Sequence, residues 1–133
     1  MLKFLDAVQK AVEASAAGGK VWLYRAASTE PLPFTVMQPL PSGEPEQTTA
    51  THVQTEMRPI RFILYTTDPE DAADFPGKIE TYFENNRPTF DSGRCLAVQK
   101  TSEGLELDPS SSEEGEEVWQ GIVQMQFHIE RTR

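Results

Sequence analysis

Residues 118–131, VWQGIVQMQFHIER, form the most regular stretch of the sequence, because apolar and polar residues alternate along most of it. One set of alternate positions is apolar or small: Trp119, Gly121, Val123, Met125, Phe127 and Ile129. The opposite set is polar: Gln120, Gln124, Gln126, His128 and Glu130. Successive side chains of a β-strand point to opposite faces of its sheet. The stretch therefore predicts a strand with one face in the core and the other facing water or a partner.

A second long strand is predicted upstream, over residues 53–66. Ile60, Phe62 and Leu64 would lie on one of its faces, and the residues between them on the other. Pro59 has no N–H group to donate to a neighbouring strand, so we expect a bulge or an edge position there. Shorter strands are predicted over three further ranges: 20–26, 34–37 and 94–101.

The N-terminal segment has the spacing of an amphipathic helix. Leu5, Val8 and Val12 recur at intervals of three and four residues, which places them on one helical face. Gly18 and Gly19 follow as a stop signal, because glycine adopts the left-handed conformation that closes a helix. We therefore predict an N-terminal helix over this segment.

A second helix is predicted in the middle of the chain. Asp68 is a suitable cap for its N–H groups, and Pro69 suits the first helical position, where no N–H group is needed. An apolar stripe follows, but Pro76 lies inside it, and a proline in a helix interior costs about 3 kcal/mol or more. We therefore expect either a kink at Pro76 or two successive short helices.

The order helix, strands, helix, strands is typical of an α+β domain. We predict a mainly antiparallel sheet of about four to five strands, with both helices packed on one of its faces. A chain of 133 residues has the length of one domain, so residues 1–133 are predicted to form a single domain. Two polar stretches, residues 42–52 and 102–117, are expected to be extended excursions from it.

The charge and hydropathy of the chain argue against two classes of function. Its 12 basic and 21 acidic residues give a formal net charge of −9. Nonspecific binding to nucleic acid needs Lys and Arg to displace the counterions of the phosphates, and this chain is short of both. No apolar run approaches the roughly 20 residues that a membrane-spanning helix needs, so we expect no membrane partner.

Histidine and cysteine are scarce in this chain, and its many carboxylates form no spacing pattern such as that of a calcium-binding loop. His52 and His128 lie on different segments, and neither has a second ligand at a metal-binding spacing, so we predict no metal ion and no other cofactor. Cys95 is the only cysteine, and its neighbours Leu96 and Val98 predict a buried, structural thiol. One alternative stays open. A histidine close to Cys95 in the fold would suit an enzymatic or small-ligand-binding α+β domain.

The polar face of the predicted strand 118–131 has two interpretations. It is either the wet side of a sheet or a subunit interface formed through side-chain hydrogen bonds. An interface of this kind suits a closed ring, in which each copy meets its neighbour through the same heterologous contact.

Four segments form one pattern across nearly the whole chain: LKFLDAVQKAVEA (2–14), PLPFTVMQPLP (31–41), RPIRFILYTTD (58–68) and VWQGIVQMQFHIE (118–130). This pattern resembles that of the bacteriophage tail terminator, or tail completion, family. The resemblance implies a structural virion protein, not an enzyme, that forms a ring, commonly a hexamer, on the head-proximal end of the tail tube. Such a ring ends tube polymerisation and provides the docking surface for the head connector.

The resemblance also implies partners and contact residues. The partners would be other copies of the chain, the tail tube protein and the head connector or stopper protein, while DNA passes through without specific binding. The candidate interface residues are His52, Gln54, Glu56, Arg58, Gln120, Gln124, Gln126, His128 and Arg131. The candidate docking-loop residues are Glu44, Glu46, Gln47, Glu103, Glu113, Glu114, Glu116 and Glu117.

The implied location is the head–tail junction of the virion, after synthesis in the host cytoplasm. The acidic balance fits the passage of DNA, since carboxylates that line a lumen repel phosphate within about 10 Å at ordinary salt. Another head–tail connector component, such as a stopper or adaptor on the portal side, is an alternative that shares this composition.

Overall fold

The structure is a computed structural model that describes residues 3–15, 19–26, 31–41, 46–47, 53–108 and 117–132. Two helices and seven strands follow one another along the chain: α1 (Phe4–Ala14), β1 (Lys20–Leu23), β2 (Phe34–Pro39), β3 (Glu46–Gln47), β4 (Val53–Thr66), α2 (Pro69–Asn85), β5 (Thr89–Phe90), β6 (Gly93–Leu107) and β7 (Trp119–Thr132). The predicted α+β class is therefore confirmed for the described part of the chain.

The strands form one sheet in the order β1-β2-β4-β7-β6-β5, and β3 pairs with β4 beside this path. β1 and β2 pair in parallel, whereas all the other described pairs are antiparallel. The prediction of about four to five strands was too low. β3 and β5 have only two residues each, and a segment so short has no alternation to detect.

Three long strands, β4, β7 and β6, form the centre of the sheet. β7 lies between the other two and pairs with β4 along its full length, from Val53 opposite Thr132 to Thr66 opposite Trp119. The side chains of β7 alternate between buried and half-buried positions from Gly121 to Glu130. The alternation in the sequence thus predicted this strand and its buried face correctly.

β6 is longer than predicted. We expected a strand over residues 94–101, but pairing with β7 continues to Leu107, so residues 102–107 of the predicted excursion are strand. The backbone of β7 offers hydrogen-bonding groups to any neighbour of suitable length, and this pairing outweighs the polar composition of the segment. Two register shifts interrupt β6, between Cys95 and Ala97 and between Lys100 and Ser102.

The remainder of the two predicted excursions is described only in part. Within residues 42–52, Glu46 and Gln47 form β3 and pair with Thr55 and Gln54 of β4, so these two residues belong to the sheet. The other residues of that stretch, and residues 109–116 of the second stretch, lie outside the described residues.

Both helices pack on one face of the sheet and form a single core with it, as predicted. The core contains Phe62 of β4, Phe83 of α2 and Phe127 of β7, and the last two rings meet edge to face with centroids 5.2 Å apart. Core positions alternate along the long strands, so every second side chain of β4 and β7 contributes to this face.

α1 contacts both ends of the strand path. Gln9 donates a hydrogen bond from Nε2 to the carbonyl of Val21 in β1, at 2.8 Å. At the start of the same helix, the ring of Phe4 packs on that of Phe90 in β5. Because β1 and β5 are the first and last strands of the path, the sheet curls around the helices and α1 joins its two ends.

α2 is one continuous helix with Pro76 inside it, so the alternative of two successive short helices was wrong, while a kink at Pro76 stays a prediction. Asp68 caps the helix by accepting a hydrogen bond from the N–H group of Glu70 at 2.9 Å. Pro76 has no N–H group for the carbonyl of Ala72, and Gly121 of β7 lies directly against that carbonyl. The buried face of α2 packs on the sheet on both sides of the proline, which offsets the missing hydrogen bond.

Candidate functional site

The side of the sheet away from the helices, called the open face below, is not covered by any helix of the described residues. Its side chains are assigned by the strand register, since residues paired across strands share a face. Six of them form an apolar zone: Trp22, Phe34, Val36, Ile63, Tyr65 and Ile122. Val36 and Ile63 are buried within the chain, and the other four are half-buried. Six more form an amide row: Gln38, Gln99, Gln120, Gln124, Gln126 and His128.

The apolar zone is built from neighbouring strands. The rings of Phe34 in β2 and Tyr65 in β4 stack with centroids 5.0 Å apart. The ammonium group of Lys20 lies 4.3 Å from the centroid of the Trp22 ring, a cation–π distance. Partial burial, and to a lesser extent the nearby Asp108, raises the pKa of Tyr65, so its hydroxyl remains an un-ionised donor. The zone therefore combines flat rings with polar groups at their edges.

The amide row continues the open face along β7. Apart from His128, its side chains are glutamines, and those on β7 are half-buried. A glutamine amide has both donors and an acceptor, and covering it costs less than covering a charge. Side chains of this kind can form hydrogen bonds to a second protein surface. They therefore suit a subunit interface, which was one of the two interpretations of the polar face of β7. His128 lies at one end of the row, opposite Ala97.

The open face has little net charge. Its described side chains include three cations, Lys20, Arg61 and Arg94, and three carboxylates, Glu106, Asp108 and Glu130, so the charges on this face balance. One of these charges is already paired, because Arg94 Nε lies 3.1 Å from Glu130 Oε1. The chain as a whole carries −9. The open face is therefore set apart from the rest of the surface by charge as well as by composition.

Three of the predicted interface residues lie on the opposite, helix-covered side. Glu56 accepts from two arginines at once, with its carboxylate 3.3 Å from Arg58 Nη1 and 3.3 Å from Arg131 Nε. The guanidinium of Arg58 lies 5.4 Å from the ring centroid of Phe4, and that of Arg131 lies 5.8 Å from the centroid of Phe90. This group links β4 to β7 beside the start of α1, so the predicted set of interface residues divides into two places.

An open cavity of about 490 Å³ lies between this ion-pair group and the first turn of α1. Its lining includes the basic residues Lys3, Arg58 and Arg131 but also the acidic residues Asp6 and Asp91. Since the charges nearly balance, the lining does not select for an anion or a cation.

The remaining predicted contact residues are placed as follows. Five lie outside the described residues: Glu44, His52, Glu113, Glu114 and Glu116. Gln54 lies in β4 opposite Gln47 of β3, and Glu46 occupies the other position of β3. Glu103 is not in a loop but in β6, where its carboxylate lies 3.4 Å from Lys100 Nζ. Glu117 is exposed and precedes β7.

The structure separates Cys95 from His128. Cys95 faces the core beside Ile129, whereas His128 belongs to the open face, so the two side chains point to opposite sides of the sheet. Burial raises the pKa of the Cys95 thiol, although the nearby Arg87 and a backbone hydrogen bond with Ala97 act in the other direction. A nucleophile paired with His128 therefore cannot form in this fold, and the other histidine, His52, lies outside the described residues.

Within the described residues, no three His, Cys, Asp or Glu side chains are grouped so that they could hold a metal ion. Neither described helix is long and apolar enough to cross a membrane.

Phe34, Val36 and Ile122 are members of the open face that the sequence did not single out. Their role depends on which strands are neighbours and in what register, and a single sequence does not contain that information. Comparison with known proteins adds no family: no protein-family model matches the chain, and no curated protein matches it significantly.

Proposed function

We propose that this protein is a structural component of a bacteriophage virion that forms a ring, expected to be a hexamer, on the head-proximal end of the tail tube. The ring ends polymerisation of the tube and provides the surface on which the head connector docks. The observation that carries the proposal is the open face, a broad sheet surface of aromatic rings and uncharged amides on an otherwise acidic chain. The four-segment sequence pattern described above supports the same assignment.

The composition of the open face suits contact between copies of the chain. The centre of a protein interface is depleted in charge and enriched in aromatic residues, and hydrogen bonds occur across it at regular intervals. The apolar zone provides the aromatic area, and the amide row provides donors and acceptors. A ring requires such a surface on every copy, since each copy contacts a neighbour in the same way.

The net charge of −9 suits a ring through which DNA passes. Phosphate is repelled by carboxylates within about 10 Å at ordinary salt, so an acidic surface lets the duplex slide without holding it. The proposed partners are further copies of the chain, the tail tube protein and the head connector or stopper protein.

The first experiment measures assembly and partner choice. Native mass spectrometry measures the masses of the species that the purified chain forms over a range of concentrations, alone and with isolated tail tubes or isolated portal complexes. We expect a species of about six chain masses, alone or on tubes, and by electron microscopy one ring at one end of each tube. A chain that stays monomeric and does not bind tubes overturns the proposal. Binding to portal complexes but not to tubes assigns the chain to the connector side instead.

A second experiment tests the open face itself. Gln126→Arg places a charge in the middle of the amide row, whereas Ala14→Arg adds the same charge at the exposed end of α1. We expect Gln126→Arg to weaken ring formation by about tenfold or more, because a buried unpaired charge opposes association. Ala14→Arg should assemble like the wild type. Equal behaviour of the two variants contradicts the role of the open face.

A further inference from the structure

β6 has an unpaired edge at its C-terminal end. β7 lies on one side of this strand, and on the other side β5 pairs only with Gly93 and Arg94. Among the described residues, no strand lies beside residues 102–107 on the side away from β7. Alternate N–H and C=O groups of an edge strand point away from its partner, so they are available to another strand. We call residues 102–107 the free edge.

The rest of the boundary of the sheet is protected. At the opposite edge, Gln9 of α1 donates a hydrogen bond to the carbonyl of Val21, so a side chain of the helix already occupies β1. In the first half of β6, the two register shifts described above disturb the edge. Bulges of this kind hinder the addition of a further strand. Residues 102–107 follow the second shift and pair with β7 without interruption.

The side chains of the free edge differ between the two faces of the sheet. Leu105 is on the helix-covered side, because it pairs with Gly121, which lies against α2. Leu107 is on the same side, two residues further along. Glu106 and Asp108 alternate with the leucines and are on the open face. The edge therefore presents apolar side chains on one face and carboxylates on the other.

We propose that the free edge binds an extended segment of a different protein as an additional strand. In that segment, apolar residues alternate with Lys or Arg. The apolar side chains lie beside Leu105 and Leu107, and the basic side chains lie beside Glu106 and Asp108. This contact uses the edge of the sheet and not the open face, so it does not rest on the ring proposed above.

The backbone supplies the first argument. A strand that joins a sheet edge gains affinity from main-chain hydrogen bonds, and it must be extended to form them. The free edge has six residues, which is the usual length of a strand. Its uninterrupted pairing with β7 keeps the outward N–H and C=O groups in regular order. The edge can therefore hold one further strand along its whole length.

The exposed leucines supply the second argument. Five large hydrophobic side chains of the described residues are exposed, and two of them, Leu105 at 46% and Leu107 at 41%, lie in this short segment. α2 begins nearby, since the carbonyl of Ala72 lies over Gly121, but it leaves both leucines uncovered. Apolar side chains on an added strand would remove this surface from water, which favours the contact.

The charges identify the kind of partner. Residues 99–108 contain three carboxylates, and Lys100 is their only basic residue. Its ammonium group is already shared, because it lies 3.3 Å from Glu80 Oε1 and 3.4 Å from Glu103 Oε2. Two copies paired edge to edge would bring together three carboxylates from each, and like charges that face each other across strands are destabilising. The charges therefore disfavour a second copy and favour a segment with Lys or Arg.

The test uses four synthetic peptides of about nine residues. Lys and Val alternate in the first peptide, and Glu replaces Lys in the second. The third and fourth repeat the first sequence, but one is N-methylated on its valines and the other on its lysines. An N-methyl group removes one N–H donor and blocks pairing on that side of the peptide. Only one of these two methylated sets would face the free edge.

Fluorescence anisotropy measures binding of the labelled peptides, and hydrogen–deuterium exchange locates it. We expect the Lys–Val peptide to bind and to slow exchange of the amides of residues 102–107. The Glu–Val peptide should bind about tenfold more weakly or worse. One methylated peptide should lose affinity by about tenfold or more, and the other should bind like the unmethylated peptide.

Variants of the protein test the two side-chain contributions. Glu106→Lys should weaken binding of the Lys–Val peptide by about fivefold or more. Glu84→Lys makes the same change of charge at the far end of α2 and should leave binding unchanged. The double variant Leu105→Ala with Leu107→Ala should also weaken binding by about fivefold or more. Leu23→Ala, at an exposed leucine of β1, is its control. Circular dichroism verifies that every variant is folded.

Four results overturn the inference. The Lys–Val peptide leaves exchange in residues 102–107 unchanged. Both methylated peptides bind equally well, which means that charge alone attracts them. Glu106→Lys binds the peptide as tightly as its control. Exchange in residues 102–107 slows as the concentration of the chain rises without peptide, which means that a second copy occupies the edge. If the peptide binds as expected but the wild type forms no ring and caps no tubes, only the proposed function fails.

Discussion

The ring of Phe4 lies edge-on against the ring of Phe90, with centroids 5.2 Å apart and planes inclined by 73°. Phe4 also meets Phe127 of the central strand, at 5.7 Å. One side chain at the start of α1 thus connects the end of the sheet to its middle. Because Gln9 of the same helix bonds to β1 at the opposite end, α1 holds the curled sheet closed.

Phe4→Ala should destabilise the fold strongly. The side chain is 3% exposed and contacts two other rings, and removing a buried phenylalanine costs about 3–5 kcal/mol. Leu105→Ala is the comparison, since Leu105 is 46% exposed and its removal should change stability by about 0.5 kcal/mol or less. The measurement is urea denaturation followed by fluorescence. Similar shifts of the urea denaturation midpoint in the two variants would show that α1 does not close the sheet.

Gly121→Ala should destabilise the fold, whereas Gly104→Ala should not. A Cβ atom on Gly121 collides with the carbonyl of Ala72 in α2, and overpacking of this kind costs about 1–3 kcal/mol. A Cβ atom on Gly104 has no heavy atom within 4 Å, so its effect should remain within about 0.5 kcal/mol. Thermal melting of both variants measures the difference. Equal melting temperatures contradict the close packing of α2 on β7.

Glu56→Ala should cost more stability than Glu130→Ala. The carboxylate of Glu56 is shared by Arg58 and Arg131, whose side chains are only 25% and 35% exposed, and its loss leaves two partly buried guanidiniums without their partner. We expect a cost of about 1–3 kcal/mol. Glu130 pairs with an Arg94 side chain that is 70% exposed, and such surface pairs contribute about 0–1 kcal/mol. Chemical denaturation at low and high salt distinguishes the two carboxylates.

Cys95 should reduce stability at alkaline pH. Burial raises the pKa of its thiol above the ordinary value of 9.0. A group whose pKa is raised on folding stabilises the folded state fully below its unfolded pKa, and this contribution is lost as the pH rises through the folded pKa. When the pH is raised from below 9.0 to above 9.0, the free energy of unfolding should therefore decrease less in Cys95→Ala than in the wild type. Tyr65→Phe is needed as a second variant, because the pKa of Tyr65 is raised as well. An equal decrease of the unfolding free energy in the wild type and in Cys95→Ala excludes a contribution from the thiol.

Periodicity predicted the elements that are long and amphipathic. α1, β4 and β7 each bury one stripe or one set of alternate residues, and that pattern is visible in the order of the residues alone. The lengths of the other strands depend on tertiary pairing and on the local backbone. β6 extends to Leu107 because β7 runs beside it, and the strand that starts at Lys20 ends early because Tyr24 has a positive φ of 69°.

The candidate contact residues were predicted in part. The polar set of β7 was identified correctly as one face, but Glu56 and Arg58 were grouped with it although they alternate in step with Ile60, which the structure buries in the core. Their parity was available in the sequence and would have placed them on the same face as Ile60.

The place of β7 in the sheet also affects how the chain is made. β4 and β6 both leave the ribosome before β7, yet each finds its main partner only in that strand. Until β7 emerges, two long strands carry unpaired backbone edges, which is the state in which nascent chains aggregate or recruit chaperones. Productive folding in the cell is therefore postponed until β7 has been translated.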